Sequence, residues 1–245
     1  MRIKGQALVA GLDMKESPTS REEITSSPRG NPQSSILNPQ SCPIIRRLGI
    51  VEYRAAYDAM RQFTTARTQA TPDELWIVQH PPVYTVGIAG RPEHFPSSTS
   101  IPLEHIDRGG QITYHGPGQA LVYALLDMTR RSLKVRELVH LLEQSAINLL
   151  GLHGVRAGRR PDAPGVYVDG AKVAALGLRV RAGRCYHGIA LNVDMDLAPF
   201  SAIDPCGYPG LRVTQTKTLG IDAGVGEMGE ALAQAIGRLL VERHG

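Results

Sequence analysis

Between residues 165 and 193, three apolar runs are joined by two turns of only a few residues each. Residues 165–168 and 172–180 flank Asp169-Gly170, a dipeptide that tolerates the positive φ angles of a type I′ hairpin. Arg181-Ala-Gly-Arg184 then turns the chain again into residues 185–193. The spacing predicts a β-meander, which commits this half of the chain to an antiparallel sheet. Helical periods surround it. Tyr53, Ala56, Tyr57, Met60 and Phe63 share one face, as do Val135, Leu138, Val139, Leu142 and Leu149. Met228, Leu232, Ile236 and Leu239 predict a closing helix. Residues 73–79, 83–86 and 120–126 read as further strands. The expected fold is α+β in two layers, a mixed and mostly antiparallel sheet with packed helices.

Residues 1–46 stand apart. They hold no aromatic residue and are rich in Ser and Pro from Ser17 to Pro43, so they bury too little apolar surface to offset the entropy of ordering. They read as a disordered leader, or as an extension from an upstream start codon, before a single domain over 47–245. Cys42, Cys185 and Cys206 are an odd count without a Cys-x-x-Cys, which favours a reducing compartment over a disulfide or zinc scaffold. No apolar run approaches the ~20 residues of a membrane helix. Residues 7–12 are too short for a secretory signal core. The cytoplasm is the expected location. A net charge of +4 comes without a basic run or an aromatic-interleaved stripe, so neither nucleic acid nor membrane is expected as a partner.

The chemistry concentrates in residues 108–119, Arg-Gly-Gly-Gln-Ile-Thr-Tyr-His-Gly-Pro-Gly-Gln. A glycine-rich turn before an apolar strand suits either a plain turn or a pocket wall where backbone approaches a ligand. Arg108 and His115 favour the pocket, because burying them requires polar partners. Gly224-Val-Gly-Glu-Met-Gly229 imitates a dinucleotide fingerprint, but too little chain follows for a βαβ unit, so it reads as a helix start. There is no Walker-type loop and no His-Glu-x-x-His, and no cofactor or metal is expected. Cys206 lies in Asp204-Pro-Cys-Gly207, on a loop, where a nearby cation would make it nucleophilic. Cys185 sits in an apolar strand and reads as core. Lys172 opens a strand, where lysine is ordinarily a solvated edge residue; folded toward the Cys206 loop it would be that cation.

Six blocks occur in order: Asp73-Glu-Leu-Trp, His80-Pro-Pro-Val-Tyr-Thr, residues 108–119, Gly165-Val-Tyr-Val-Asp-Gly-Ala-Lys172, His187-Gly-Ile-Ala-Leu-Asn-Val-Asp194 and Asp204-Pro-Cys-Gly207. Over roughly residues 48–219 the chain closely resembles the lipoyl/octanoyl transferases, also called lipoate–protein ligase B. The resemblance implies the fold of biotin and lipoate ligases. It also implies transfer of an octanoyl group from acyl carrier protein to a lysine of lipoyl domains, those of 2-oxoacid dehydrogenases and the glycine-cleavage carrier protein. By its motif, Cys206 would carry the acyl group as a thioester, and Lys172 would lower the Cys206 pKa and help move protons. The substrate would lie along Arg108, Gly109, Gly110, Gln111, Ile112, Thr113, Tyr114 and His115. Two further segments would line it: Ala175, Leu176 and Gly177, then Gly188, Ile189 and Ala190. An ATP-dependent lipoate–protein ligase and a non-catalytic lipoyl-domain binding module are the alternatives. Arginines 156, 159 and 160, and 179, 181 and 184, read either as solvated turns or as a docking surface for acidic carrier proteins.

Overall fold

The computed structural model describes residues 41–161, 163–204 and 210–243, and Cys206 lies outside them. Among the described residues the order is β1 (Ile44–Ile50), α1 (Tyr53–Ala66), β2 (Glu74–Gln79), β3 (Val83–Val86), β4 (Leu103–His105), β5 (Ile112–His115) and β6 (Gln119–Asp127). There follow α2 (Val135–Leu152), β7 (Val166–Val168), β8 (Ala171–Arg181), β9 (Arg184–Asn192) and α3 (Val225–Glu242). The fold is α+β, as its sequence pattern requires.

Six strands form the main sheet in the order β1-β2-β6-β9-β8-β7, antiparallel except for the β1–β2 pair. The meander is built as its turns dictate. Asp169 and Gly170 have φ of 47° and 77°, and Ala182 and Gly183 repeat the device at 48° and 73°. Alternation along the strands then sorts side chains to two faces. Val122, Ala124, Cys185, Ile189 and Leu191 meet Leu138, Leu142, Leu232 and Ile236 of α2 and α3. Trp76, Leu121, Tyr123 and Ala190 meet Tyr53, Tyr57 and Met60 of α1 on the other. The three helical periods of the sequence are therefore the three helices, and each buries most of the face its spacing marks, with Val135 at the start of α2 left exposed.

Two expectations need correction. Residues 44–46 are not leader: Ile44, Ile45 and Arg46 pair with Glu74, Leu75 and Trp76, and Arg46 makes a bidentate ion pair with Glu74. The globular part therefore begins before the boundary at 46/47. The strand escaped the pattern because it is an edge strand with irregular exposure and no aromatic residue. Residues 108–119 are also not one continuous turn. Ile112–His115 is strand β5, which pairs with β3 in a separate three-stranded sheet, β4-β3-β5.

Gly118 fastens the two sheets' connection. Its φ is 86°, its carbonyl accepts from the N–H groups of Val193 and Asp194, and an added Cβ would lie 1.9 Å from the Asp194 carbonyl oxygen. Gly118→Ala is expected to destabilise the protein by about 1–3 kcal/mol, through positive φ and backbone overlap together. Urea unfolding measures this; an unchanged midpoint would mean that the backbone yields there at no cost.

Candidate active site

The register across β8, β9 and β6 lines residues up in rows. One row is Ala175–Ala190–Leu121; the next on the same face is Gly177–Gly188–Tyr123. Small residues on two adjacent strands leave a trough in the α1 side of the sheet. Tyr53 and residues of the 108–115 segment lie over it and make the trough a lined pocket. Both glycines are fixed by their surroundings. A Cβ on Gly188 would stand 2.0 Å from the Val122 carbonyl oxygen, and one on Gly177 would stand 3.0 Å from Cδ of Arg108.

The 108–110 segment is pinned over β8. The Gly109 N–H donates to the Leu178 carbonyl at 2.9 Å, while the N–H groups of Ile88 and Ala89 donate to Arg108 and Gly110. Arg108 is 7% exposed, and its guanidinium donates to the carbonyl and hydroxyl oxygens of Thr85 at 2.7 and 2.9 Å. Those are the polar partners its burial demands.

Behind the trough lies a chain of buried polar groups. The His115 Nδ1–H donates to Gln119 Oε1 at 2.7 Å, and Gln119 passes a hydrogen bond to Asn192 Oδ1 at 2.8 Å. His80 donates from Nδ1 to the Val51 carbonyl at 2.6 Å, which leaves Nε2 to accept from the Tyr123 hydroxyl at 2.6 Å. Burial pushes His115 down to about 3 and His80 down to about 4. Both rings are neutral at pH 7, so this wall presents dipoles rather than charge to the trough.

The three predicted substrate segments converge. Arg108, Gly110, Gln111, Ile112, Thr113 and His115 line the pocket, together with 175–177 and 188–190. Tyr114 does not. Alternation along β5 turns its ring into the cluster with Tyr84 and Phe200. Gly109 contributes a backbone bond to β8 rather than pocket wall. Tyr53, Leu121, Tyr123 and His187 line the pocket without having been singled out. Tyr53 carried only a helical period, and Leu121 and Tyr123 only an apolar strand, so no local signal marked them.

Lys172 departs from the solvated-edge reading. It is 2% exposed, its Nζ donates to the Pro164 carbonyl at 3.2 Å, and it lies 5.2 Å from the centre of the Tyr167 ring. Gly165 makes the space: at φ 144°, a Cβ there would approach Lys172 Cε to 3.0 Å. The backbone of Lys172 bonds to Arg212 and Thr214, six and eight residues after Cys206 in the sequence. Cys185 is fully buried, its Sγ donates to the Ala124 carbonyl, and burial pushes its thiol up to about 12. It is a core cysteine. The arrangement offers a narrow, mostly apolar slot and a buried lysine on the strand that forms its floor. Among the described residues no group of three His, Cys, Asp or Glu side chains could hold a metal ion, and no helix is long and apolar enough to cross a membrane.

Residues 52–237 match the lipoyl protein ligase A/B catalytic domain. An octanoyltransferase of Aromatoleum aromaticum is 61% identical over 197 residues, covering 80% of this chain and 85% of its own. One from Dechloromonas aromatica is 57% identical over 203 residues, covering 83% and 99%. A lipoate-protein ligase A solved with ATP shares the fold at a TM-score of 0.68 and 17% identity, covering 81% of this chain and 85% of that one. A lipoate protein ligase of T. acidophilum solved with lipoic acid does so at 0.67 and 17%, covering 81% and 86%.

Proposed function

We propose a complete reaction from one premise: this chain belongs to the lipoyl protein ligase A/B catalytic-domain family and is an enzyme of octanoyl transfer in lipoate biosynthesis. The donor is an octanoyl thioester of acyl carrier protein, and the acceptor is a lysine of a lipoyl domain. Cys206, as thiolate, attacks the thioester carbonyl; its C–S bond forms, the carrier's C–S bond breaks, and the carrier thiol leaves with a proton. The acceptor amine then attacks the acyl-enzyme. A C–N bond forms, the Cys206 C–S bond breaks, and the proton lost by the amine returns to the thiol. Lys172 favours the thiolate and carries these protons.

The energetics suit a site without a nucleotide. Exchange between two thioesters is nearly even, and formation of the amide is downhill. The observation that carries the reading is the slot floored by Ala175, Gly177, Gly188 and Ala190, whose small side chains leave room for an alkyl chain. Each methylene buried there contributes ~0.8 kcal/mol, so the chain supplies several kcal/mol of binding. The enzyme acts in the cytoplasm, where both protein substrates reside.

Intact mass measured after incubation with octanoyl carrier protein tests this directly. A single octanoyl adduct on Cys206, discharged by a lipoyl domain without ATP, is the expected result. Transfer that requires ATP and leaves no adduct would make the protein a ligase.

Of the two arginine clusters, we infer that the β8–β9 turn is the one that docks an acidic carrier protein, although Arg184 there also donates to the Thr64 carbonyl at 3.4 Å. Arg159 is held by Glu143, Arg160 lies over Tyr167, and Arg179 faces Asp107. Arg181 is exposed and Arg184 half-buried at the β8–β9 turn. Replacing both with alanine is expected to raise the KM for carrier-bound donor by roughly threefold to tenfold at low salt, the worth of two partly screened surface charges. Turnover at saturation should hold. Equal KM values at low ionic strength would free this turn from any part in docking.

A further inference from the structure

His187 faces the wrong way for its place in β9. Cys185, Ile189 and Leu191 point to α2 and α3, so alternation assigns residue 187 to that side as well. Instead its ring stacks on Tyr57 of α1 at 5.7 Å and lies 5.0 Å from the ring of Tyr186. The cause is its backbone. His187 has φ of 64°, a left-handed conformation in mid-strand that a non-glycine residue adopts only where its surroundings enforce it. The ring is 2% exposed. Its Nε2 is buried 3.6 Å from Asp107 Oδ1, and among the described residues neither atom has a hydrogen-bond partner. Asp107, which also accepts from the Tyr186 hydroxyl, immediately precedes the segment that roofs the trough.

Position gives this strained residue a task. His187 pairs with Leu178, next along the strands after the Gly177–Gly188 pair. Lys172 lies at the opposite end of β8. From Ala175 to Leu178 the strand advances about 10 Å. A staggered eight-carbon chain advances about 9 Å. We propose that His187 is the end stop of the acyl slot: its left-handed backbone swings the imidazole across the trough beyond the glycine row and sets the longest chain accepted. This rests on the slot holding the octanoyl group with its carbonyl toward Lys172.

His187→Gly tests it without forcing the fold, because glycine is at ease at φ of 64°. Transfer is compared for octanoyl, decanoyl and dodecanoyl carrier thioesters. The decanoyl-to-octanoyl ratio of kcat/KM is expected to rise about tenfold, the worth of two further buried methylenes. His187→Asn, smaller and tolerant of the left-handed region, should give an intermediate rise. Thermal shifts with free octanoate, decanoate and dodecanoate read the same preference without turnover, which covers a variant that binds but does not react. Ratios unchanged in both assays, with octanoyl transfer intact in the parent, overturn the end stop and leave the enzyme's function standing. A parent that transfers no octanoyl group overturns that function, and the end stop with it.

Discussion

Cys206→Ser is expected to reduce octanoyl transfer by a factor on the order of 10⁴ or more, with no covalent octanoyl adduct detectable by mass. A hydroxyl is a far weaker nucleophile than a thiolate at neutral pH, and loss of a nucleophile removes the whole covalent route. The other cysteines are internal controls. Cys185 is fully buried in the sheet with its thiol pushed up to about 12, so it is neither accessible nor ionised at pH 7. Cys42 is exposed and lies just before β1. Serine at either position should leave most of the activity. A folded Cys185→Ser variant as inactive as Cys206→Ser would move the nucleophile and undo the assignment.

Lys172→Met is expected to slow acyl-enzyme formation by about 10²–10³-fold, within the span of a lost general acid–base group. Methionine suits the site better than alanine as a test because Lys172 is buried beside Gly165 and Tyr167, and truncation would open a void. The sign follows from charge: a cation near a thiol favours the thiolate, so its loss raises the thiol pKa by about one unit or more. Iodoacetamide alkylation of Cys206 followed against pH reads this independently of turnover. The midpoint should move up in the variant. An identical midpoint would leave Lys172 a packing residue and break the dyad.

Much of this architecture is written in local chemistry. Asp169-Gly170 needs no tertiary context to make its turn, and the apolar periods of α1, α2 and α3 survive folding unchanged. Arg108 and His115 were legible for a related reason, since residues so costly to bury announce the partners that meet them. What escaped depends on contacts between distant segments. β1 is an edge strand whose order comes from pairing with β2, thirty residues along, and β5 hides within a glycine-rich run because its partner β3 lies in a different sheet from β6. The facing of His187 was invisible for the same reason: strand alternation predicts the opposite side, and only its φ angle reveals the reversal.

The floor of the slot is bare main chain at Gly177 and Gly188, and that gives variation a direction. Any substitution at either position adds atoms against Arg108 or the Val122 carbonyl, so mutation there can only subtract room. A lineage that begins with this slot drifts easily toward shorter acyl groups or inactivity, and hardly at all toward bulkier ones. Length is the open coordinate and width the closed one. A small molecule meant to occupy the site meets the same asymmetry: it must be thin wherever it crosses the paired glycines, whatever shape it takes beyond them.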